Sequence, residues 1–363
     1  RRLIVDTDLG LDDLVALAIL RVQQCMLQQT HHIVSSDDVN HHRYTPFLLS
    51  GVTITSGISC ANNDNAALLR RLLPPDTPVY VSDNDFGTSL SWMDEDKPTW
   101  WTRTAQRVAS FLSSLPPLLV TRTGQTQSNA TCTTITAEEF IANNVDDPNV
   151  DFLCMAPLTT VSRALHLRSA EYPNSSPKAT FYIMGGIRSD SKVTRRGEST
   201  APFGYHDVVG ENAALEASET PDTTTIDKRD RFGEFNFALD IAAVRTVLST
   251  ISARIIPLEA CTLVPKSLRF TAESVTLSSI LSHSKDDLRS SSDNATDSAR
   301  ELYTARSILL KLLQEYGTTE TQWDSIAAAI YCNAFGSACV GDSAKSAALK
   351  LVGSREMTLS DLG

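Results

Sequence analysis

The sequence predicts an α/β fold: a Rossmann-like, mostly parallel central sheet with helices on both faces. Three observations predict it. Short apolar runs of strand length recur along the chain, and stretches with helical spacing of apolar residues separate them. Strands alternating with helices imply βαβ units and a parallel sheet. A carboxylate-rich turn follows the first apolar run, and sheets of this kind collect ligands at the carboxyl ends of their strands.

In chain order, Leu3-Ile4-Val5 reads as a buried strand and Leu11 to Leu20 as the helix after it. Val52-Thr53-Ile54-Thr55 is a second strand, followed by a helix around Ala66 to Leu73, and Val79-Tyr80-Val81 is a third strand. Val150 to Met155, Ala179 to Met184 and Ile255 to Leu258 are further strands, each near a helical pattern. Three polar stretches break the alternation and read as insertions, at 24–46, 121–134 and 187–232. The first holds His31, His32, His41 and His42, which in so polar a setting read as solvated surface rather than metal ligands. With no internal repeat and no clean linker, residues 1–363 are expected to form a single domain.

Composition narrows the function. A hydrophobic share of 42% with 21% charged residues is that of a globular chain with material for a core. The net charge of -11 repels polyanions, so a nucleic acid polymer is not an expected partner, whereas a small neutral ligand is. Seven cysteines without CxxC pairs read as reduced core thiols, neither a disulfide framework nor a zinc site. No apolar run approaches the roughly 20 residues of a spanning helix, so no membrane partner is expected. The chain opens on Arg1, so a natural start upstream is expected. Sequons at Asn129, Asn174 and Asn294 are as consistent with abundant Ser and Thr as with secretion, and a cytoplasmic location is the default.

The strongest chemical signal is Asp6-Thr7-Asp8-Leu9-Gly10-Leu11-Asp12-Asp13. Carboxylates crowded where a buried strand turns into a helix are costly unless a positive charge sits among them. A hard divalent cation answers that cost, because calcium and magnesium take oxygen ligands. The competing reading is structural: Asp12 and Asp13 cap the helix, and Asp6 or Asp8 pairs with a buried base. A phosphate cradle fits poorly, since the turn has one glycine and repels anions.

This run resembles the amino-terminal signature of the nucleoside hydrolase family, inosine-uridine or purine preferring, with Leu9 where proline is usual. Later landmarks follow in the family's order. Met155-Ala156-Pro157-Leu158-Thr159-Thr160 resembles a Gly-Pro-Leu-Thr-Asn segment, with Thr160 in place of asparagine. Ile183-Met184-Gly185-Gly186 is similar to the Met-Gly-Gly strand end, and Glu234-Phe235-Asn236 to the Glu-Phe-Asn motif. Pro257-Leu258-Glu259-Ala260, Trp323-Asp324 before an alanine-rich helix, and Arg355-Glu356-Met357-Thr358 complete the series.

The resemblance implies a calcium-dependent enzyme that hydrolyses the N-ribosidic bond of a small-molecule nucleoside to ribose and free base, assembled as a homodimer or homotetramer. It implies metal ligation by Asp8, Asp13, the carbonyl of Met155 and Asp324. Asp8 would also be the general base for a water at the metal. Asp12, Glu234 and Asn236 would bind the ribose 2′-, 5′- and 3′-hydroxyls, with Asn212 as a further ribose contact. Trp323 stands where many members carry histidine. An indole does not donate a proton as an acid but stacks on a purine, which resembles the purine-preferring branch. Trp92, or one of Trp100 and Trp101, would supply the opposite face. Ordinary core packing is the competing reading for each tryptophan.

Two rival functions remain at this stage. Ser56-Gly57-Ile58-Ser59 lies where the family has an asparagine, which motivates a catalytically impaired nucleoside-binding homologue. A haloacid-dehalogenase-type phosphatase shares the Asp-x-Asp strand end, but wants threonine where this chain has Gly10.

Overall fold

The computed structural model describes residues 1–33, 47–74, 76–83, 99–116, 135–172, 175–186, 208–209, 233–257, 293–316 and 323–334. Along the chain these form β1 (Arg2–Thr7), α1 (Leu11–Ile33), β2 (Leu48–Ile54), α2 (Asn63–Leu69) and β3 (Val79–Val81). Then come α3 (Thr99–Ser114), α4 (Ala137–Ala142), β4 (Val150–Cys154), α5 (Thr159–Glu171) and β5 (Thr180–Met184). The series closes with β6 (Val208–Val209), β7 (Gly233–Glu234), α6 (Phe235–Leu239), α7 (Ile241–Thr250), β8 (Ala253–Ile256), α8 (Asp293–Tyr316) and α9 (Trp323–Ala334).

Six strands make one sheet in the order β3-β2-β1-β4-β5-β8, and every pairing in it is parallel. The anticipated α/β architecture is therefore present, and successive side chains explain its layering. Leu3, Val5 and Leu153 enter a core built with α1, α8 and α9. Ile4, Phe152 and Cys154 point the other way, into a core with α4, α5 and α7. A strand buried on both faces has no polar side to show, which is why these runs read as continuously apolar. The strand order reverses between β1 and β4, opening a crevice beyond their carboxyl ends. Asp8 follows β1 and Met155 follows β4, so the fold delivers both to that crevice.

One expectation changes. Helix α1 continues to Ile33, through residues 24–33 of the stretch read as an insertion. Gln24 misleads because it is buried and bonded: its Oε1 accepts the backbone N–H of Leu49 at 2.7 Å, while Cys25 and Leu27 pack in the core. The backbone of His31 and His32 belongs to this helix; His41 and His42, with residues 121–134, lie outside the described residues. Within 187–232 only β6 is described, paired antiparallel with β7. Cys25, Cys154 and Cys332 are buried free thiols as expected, whereas Cys60 is exposed. Among the described residues no helix is long and apolar enough to cross a membrane.

Candidate metal centre and active site

Strand β1 ends at Thr7, and the turn that follows is built to present carboxylates. Leu9 adopts a φ of 59°, a left-handed conformation that costs an L residue about 1–2 kcal/mol. Complete burial of its side chain helps to hold it there. The Leu9 N–H donates to Thr7 Oγ1 at 3.0 Å, and that hydroxyl donates to Asp13 Oδ1 at 2.5 Å. Proline, with φ fixed near −65° and no N–H, fits neither feature. The substitution at position 9 and this turn belong together. Gly10 donates to Asp8 Oδ1 at 3.2 Å and to Asp13 Oδ2 at 2.9 Å. A Cβ on Gly10 would sit 2.7 Å from Asp13 Oδ2, 2.9 Å from Asp12 Oδ1 and 3.6 Å from Asp8 Oδ1. The glycine is thus the floor of a carboxylate cradle.

Helix α9 brings the fourth carboxylate from the far end of the sequence. It packs along α1, with Ser325 Oγ donating to the Asp12 carbonyl at 3.3 Å and the Asp324 N–H pointing to Asp12 Oδ2 at 3.5 Å. Ligand atoms of Asp12, Asp13 and Asp324 all lie within 4.8 Å of one another. All three stand in the first turns of their helices, where the dipole favours negative charge.

That help is insufficient. Burial raises Asp8 to about 7, and the charge of Asp12 adds to the effect. Asp13 and Asp324 rise well above the ordinary carboxylate range, from burial first and then from their acidic neighbours. Among the described residues no ion pair reaches Asp8, Asp13 or Asp324, and Asp324 Oδ1 is buried with no hydrogen-bond partner. Carboxylates packed this tightly repel one another unless protonated or bound to a cation. The donor set, all oxygen, fits a hard divalent ion. Asp12 is the most open of the four, half-buried where the others are buried.

Two further residues meet here. Asn236, in α6, donates its side-chain amide to the Met155 carbonyl at 2.9 Å, so these two anticipated site residues are in contact. Sequence reasoning missed the part played by the loop after β2. The Ile58 N–H donates to Asp8 Oδ2 at 3.0 Å and the Ser59 N–H to the Asp8 carbonyl at 3.0 Å. A Cβ on Gly57 would lie 2.2 Å from Asp8 Oδ2 and 2.3 Å from Asp8 Cβ. The segment that departs from the family pattern therefore clamps Asp8, and a glycine next to a strand end was its one visible signal. Of Glu234 and Trp323 only the backbone is described, in β7 and at the start of α9. The same holds for Trp100 and Trp101 in α3, and Trp92 and Asn212 lie outside the described residues.

The sequence model of the inosine-uridine preferring nucleoside hydrolases matches residues 3–359. This chain belongs to that family. It is accordingly a nucleoside N-ribohydrolase, with an acidic group able to hold a metal ion at its switch-point crevice. Similar solved structures include a plant nucleoside hydrolase, 14% identical, with a TM-score of 0.47, covering 91% of this chain and 77% of the other. A purine-preferring ribonucleoside hydrolase from Gardnerella vaginalis is 14% identical, with a TM-score of 0.46 and coverage of 92% and 80%. An inosine-guanosine nucleoside hydrolase is 15% identical, with a TM-score of 0.49 and coverage of 91% and 78%. No curated protein matches the chain. Family membership removes the phosphatase alternative.

Proposed function

We propose that this hydrolase is calcium-dependent and purine-preferring, with Asp8, Asp13, Asp324 and the Met155 carbonyl holding the ion. One observation carries the reading: buried acidic groups from opposite ends of the chain converge, and no base neutralises Asp8, Asp13 or Asp324 among the described residues. Calcium suits a set made of carboxylates and a carbonyl, and its flexible geometry tolerates ligands from separate elements. When bound, the ion would orient the ribose hydroxyls and make a nearby water more acidic.

The chain's own residues do the rest. Asp8, held by Ile58 and Gly10, takes the proton of the attacking water. Asp12, the most open of the four, accepts from the ribose 2′-hydroxyl. Glu234 and Asn236 engage the 5′- and 3′-hydroxyls, with Asn212 as a further contact. Cleavage builds positive charge on the sugar, as in glycoside hydrolysis, and the acidic walls stabilise it. Trp323 stacks on the departing purine, and Trp92 supplies the opposite face. The protein works as a homodimer or homotetramer in the cytoplasm.

The test is base release from inosine and uridine by protein stripped with EDTA and then resupplied with calcium. Activity lost on stripping, restored by calcium and higher in kcat/KM for inosine is expected. Equal values for the two nucleosides remove the argument from Trp323. Absence of metal-dependent release from either would leave a nucleoside-binding homologue.

A further inference from the structure

Thr55 stands one residue beyond β2, buried, with its hydroxyl between two partners. It reaches Asp6 Oδ1 at 2.9 Å and Thr160 Oγ1 at 2.6 Å. Thr53 also donates to Asp6 Oδ1, at 2.7 Å. Counting protons orders the chain of bonds. A hydroxyl has one hydrogen, and Thr55, like Thr53, gives it to Asp6 Oδ1. Thr160 must then be the donor to Thr55.

These residues lie on three elements that meet at the crevice. Asp6 is in β1, two positions before Asp8, and its carbonyl accepts the Met155 N–H at 2.9 Å. The Thr55 N–H donates to the Thr7 carbonyl at 3.0 Å, in the stretch that leads into the carboxylate turn. Thr160 is in the first turn of α5, whose N-cap, Leu158, makes no side-chain capping bond. The segment from Met155 to Thr160 is consequently tied at its start by the Asp6 backbone and at its end by side chains. Thr159 bonds outward to Asp240 at 2.8 Å, whereas Thr160 bonds inward to Thr55. Of these two side-chain ties, the inward one leads through Thr55 to Asp6 in β1, the strand that precedes Asp8, and adds to the backbone bond between Met155 and Asp6.

We propose that Thr55 is a positioning residue for the cation site, its hydroxyl linking Asp6 to Thr160 and so fixing the Met155 carbonyl relative to Asp8. This rests on the proposed function in one respect, the assignment of that carbonyl to the ion. Groups that orient metal ligands typically change metal affinity or activity by about 10–100-fold when lost.

Calcium titration calorimetry on wild type, Thr55→Val, Thr55→Ser and Thr160→Val tests it, with inosine kcat and KM measured alongside. Thr55→Val and Thr160→Val should each weaken calcium binding about tenfold or more, and Thr55→Ser should stay within about twofold. A Thr55→Val protein that binds calcium like wild type overturns the inference. So does Thr55→Ser as defective as Thr55→Val, which would assign the effect to methyl packing. Should Thr55→Val not fold, Thr160→Val, which keeps the Thr55–Asp6 bond, decides the matter. Wild type that takes up no divalent ion refutes the proposed function itself, a result distinct from wild-type binding that the variants leave unchanged.

Discussion

Replacing Gly57 with alanine adds one carbon at the most crowded point of the site. The new Cβ would meet Asp8 Oδ2 at 2.2 Å, Asp8 Cβ at 2.3 Å and Asp8 Cγ at 2.6 Å. Ordinary contact begins near 3.4 Å, so the two groups must part by about 1 Å. Asp8 cannot simply swing aside, because its carboxylate is held by the Ile58 and Gly10 amides and its carbonyl by Ser59. Overpacking of this kind costs about 1–3 kcal/mol. At about 2.1 cal/mol/K per residue, 363 residues give an unfolding entropy of about 0.8 kcal/mol/K, so Tm falls by about 1–4 °C. Activity should suffer more. A catalytic group displaced by about 1 Å loses about 100-fold, equivalent to about 2.7 kcal/mol of barrier. Continuous assay of inosine cleavage, with calorimetric unfolding of the same samples, separates the two effects. A Gly57→Ala enzyme with kcat/KM within about threefold of wild type would refute the clamp.

Stripped of metal, the protein should lose stability as pH rises. Asp6 and Asp8 bind protons in the folded state up to about 7, well above the unfolded value of 3.8. Between those limits the native state holds more protons than the unfolded chain, so a lower Tm in EDTA at pH 8 than at pH 5 is expected. The stabilisation conferred by calcium should grow over the same window, and an EDTA Tm that climbs with pH would contradict this. Asp324→Asn keeps the shape of the side chain but removes a buried negative charge. It should raise Tm in EDTA at pH 8, abolish the calcium-dependent gain in Tm and eliminate measurable inosine cleavage; unchanged calcium binding by calorimetry would count against Asp324 as a ligand.

The residues that announce themselves in the sequence do so because their chemistry is costly. Four carboxylates at a strand end need an explanation wherever they occur, and Asp324 becomes visible through its place before an alanine-rich helix. Parallel strands were legible because burial on both faces leaves unbroken apolar runs such as Leu3-Ile4-Val5. The extent of α1 was not, since Gln24 looks like a surface residue until its bond to Leu49 in another element is known. Gly57 was opaque for a related reason: what forbids a side chain there is Asp8, 49 positions away in sequence. Leu9 stands where the family usually has proline, and its N–H and its backbone conformation both serve the turn.

On the proposed ligand set, the docking of α9 beside α1 would also govern when the protein can acquire an ion. Asp13 and Asp324 are separated by 311 positions, so the acidic group they share is among the last features a growing or refolding chain can close. Until the distal helix arrives, the early acidic turn lacks one of its proposed ligands, so cation uptake would report completed assembly instead of seeding it.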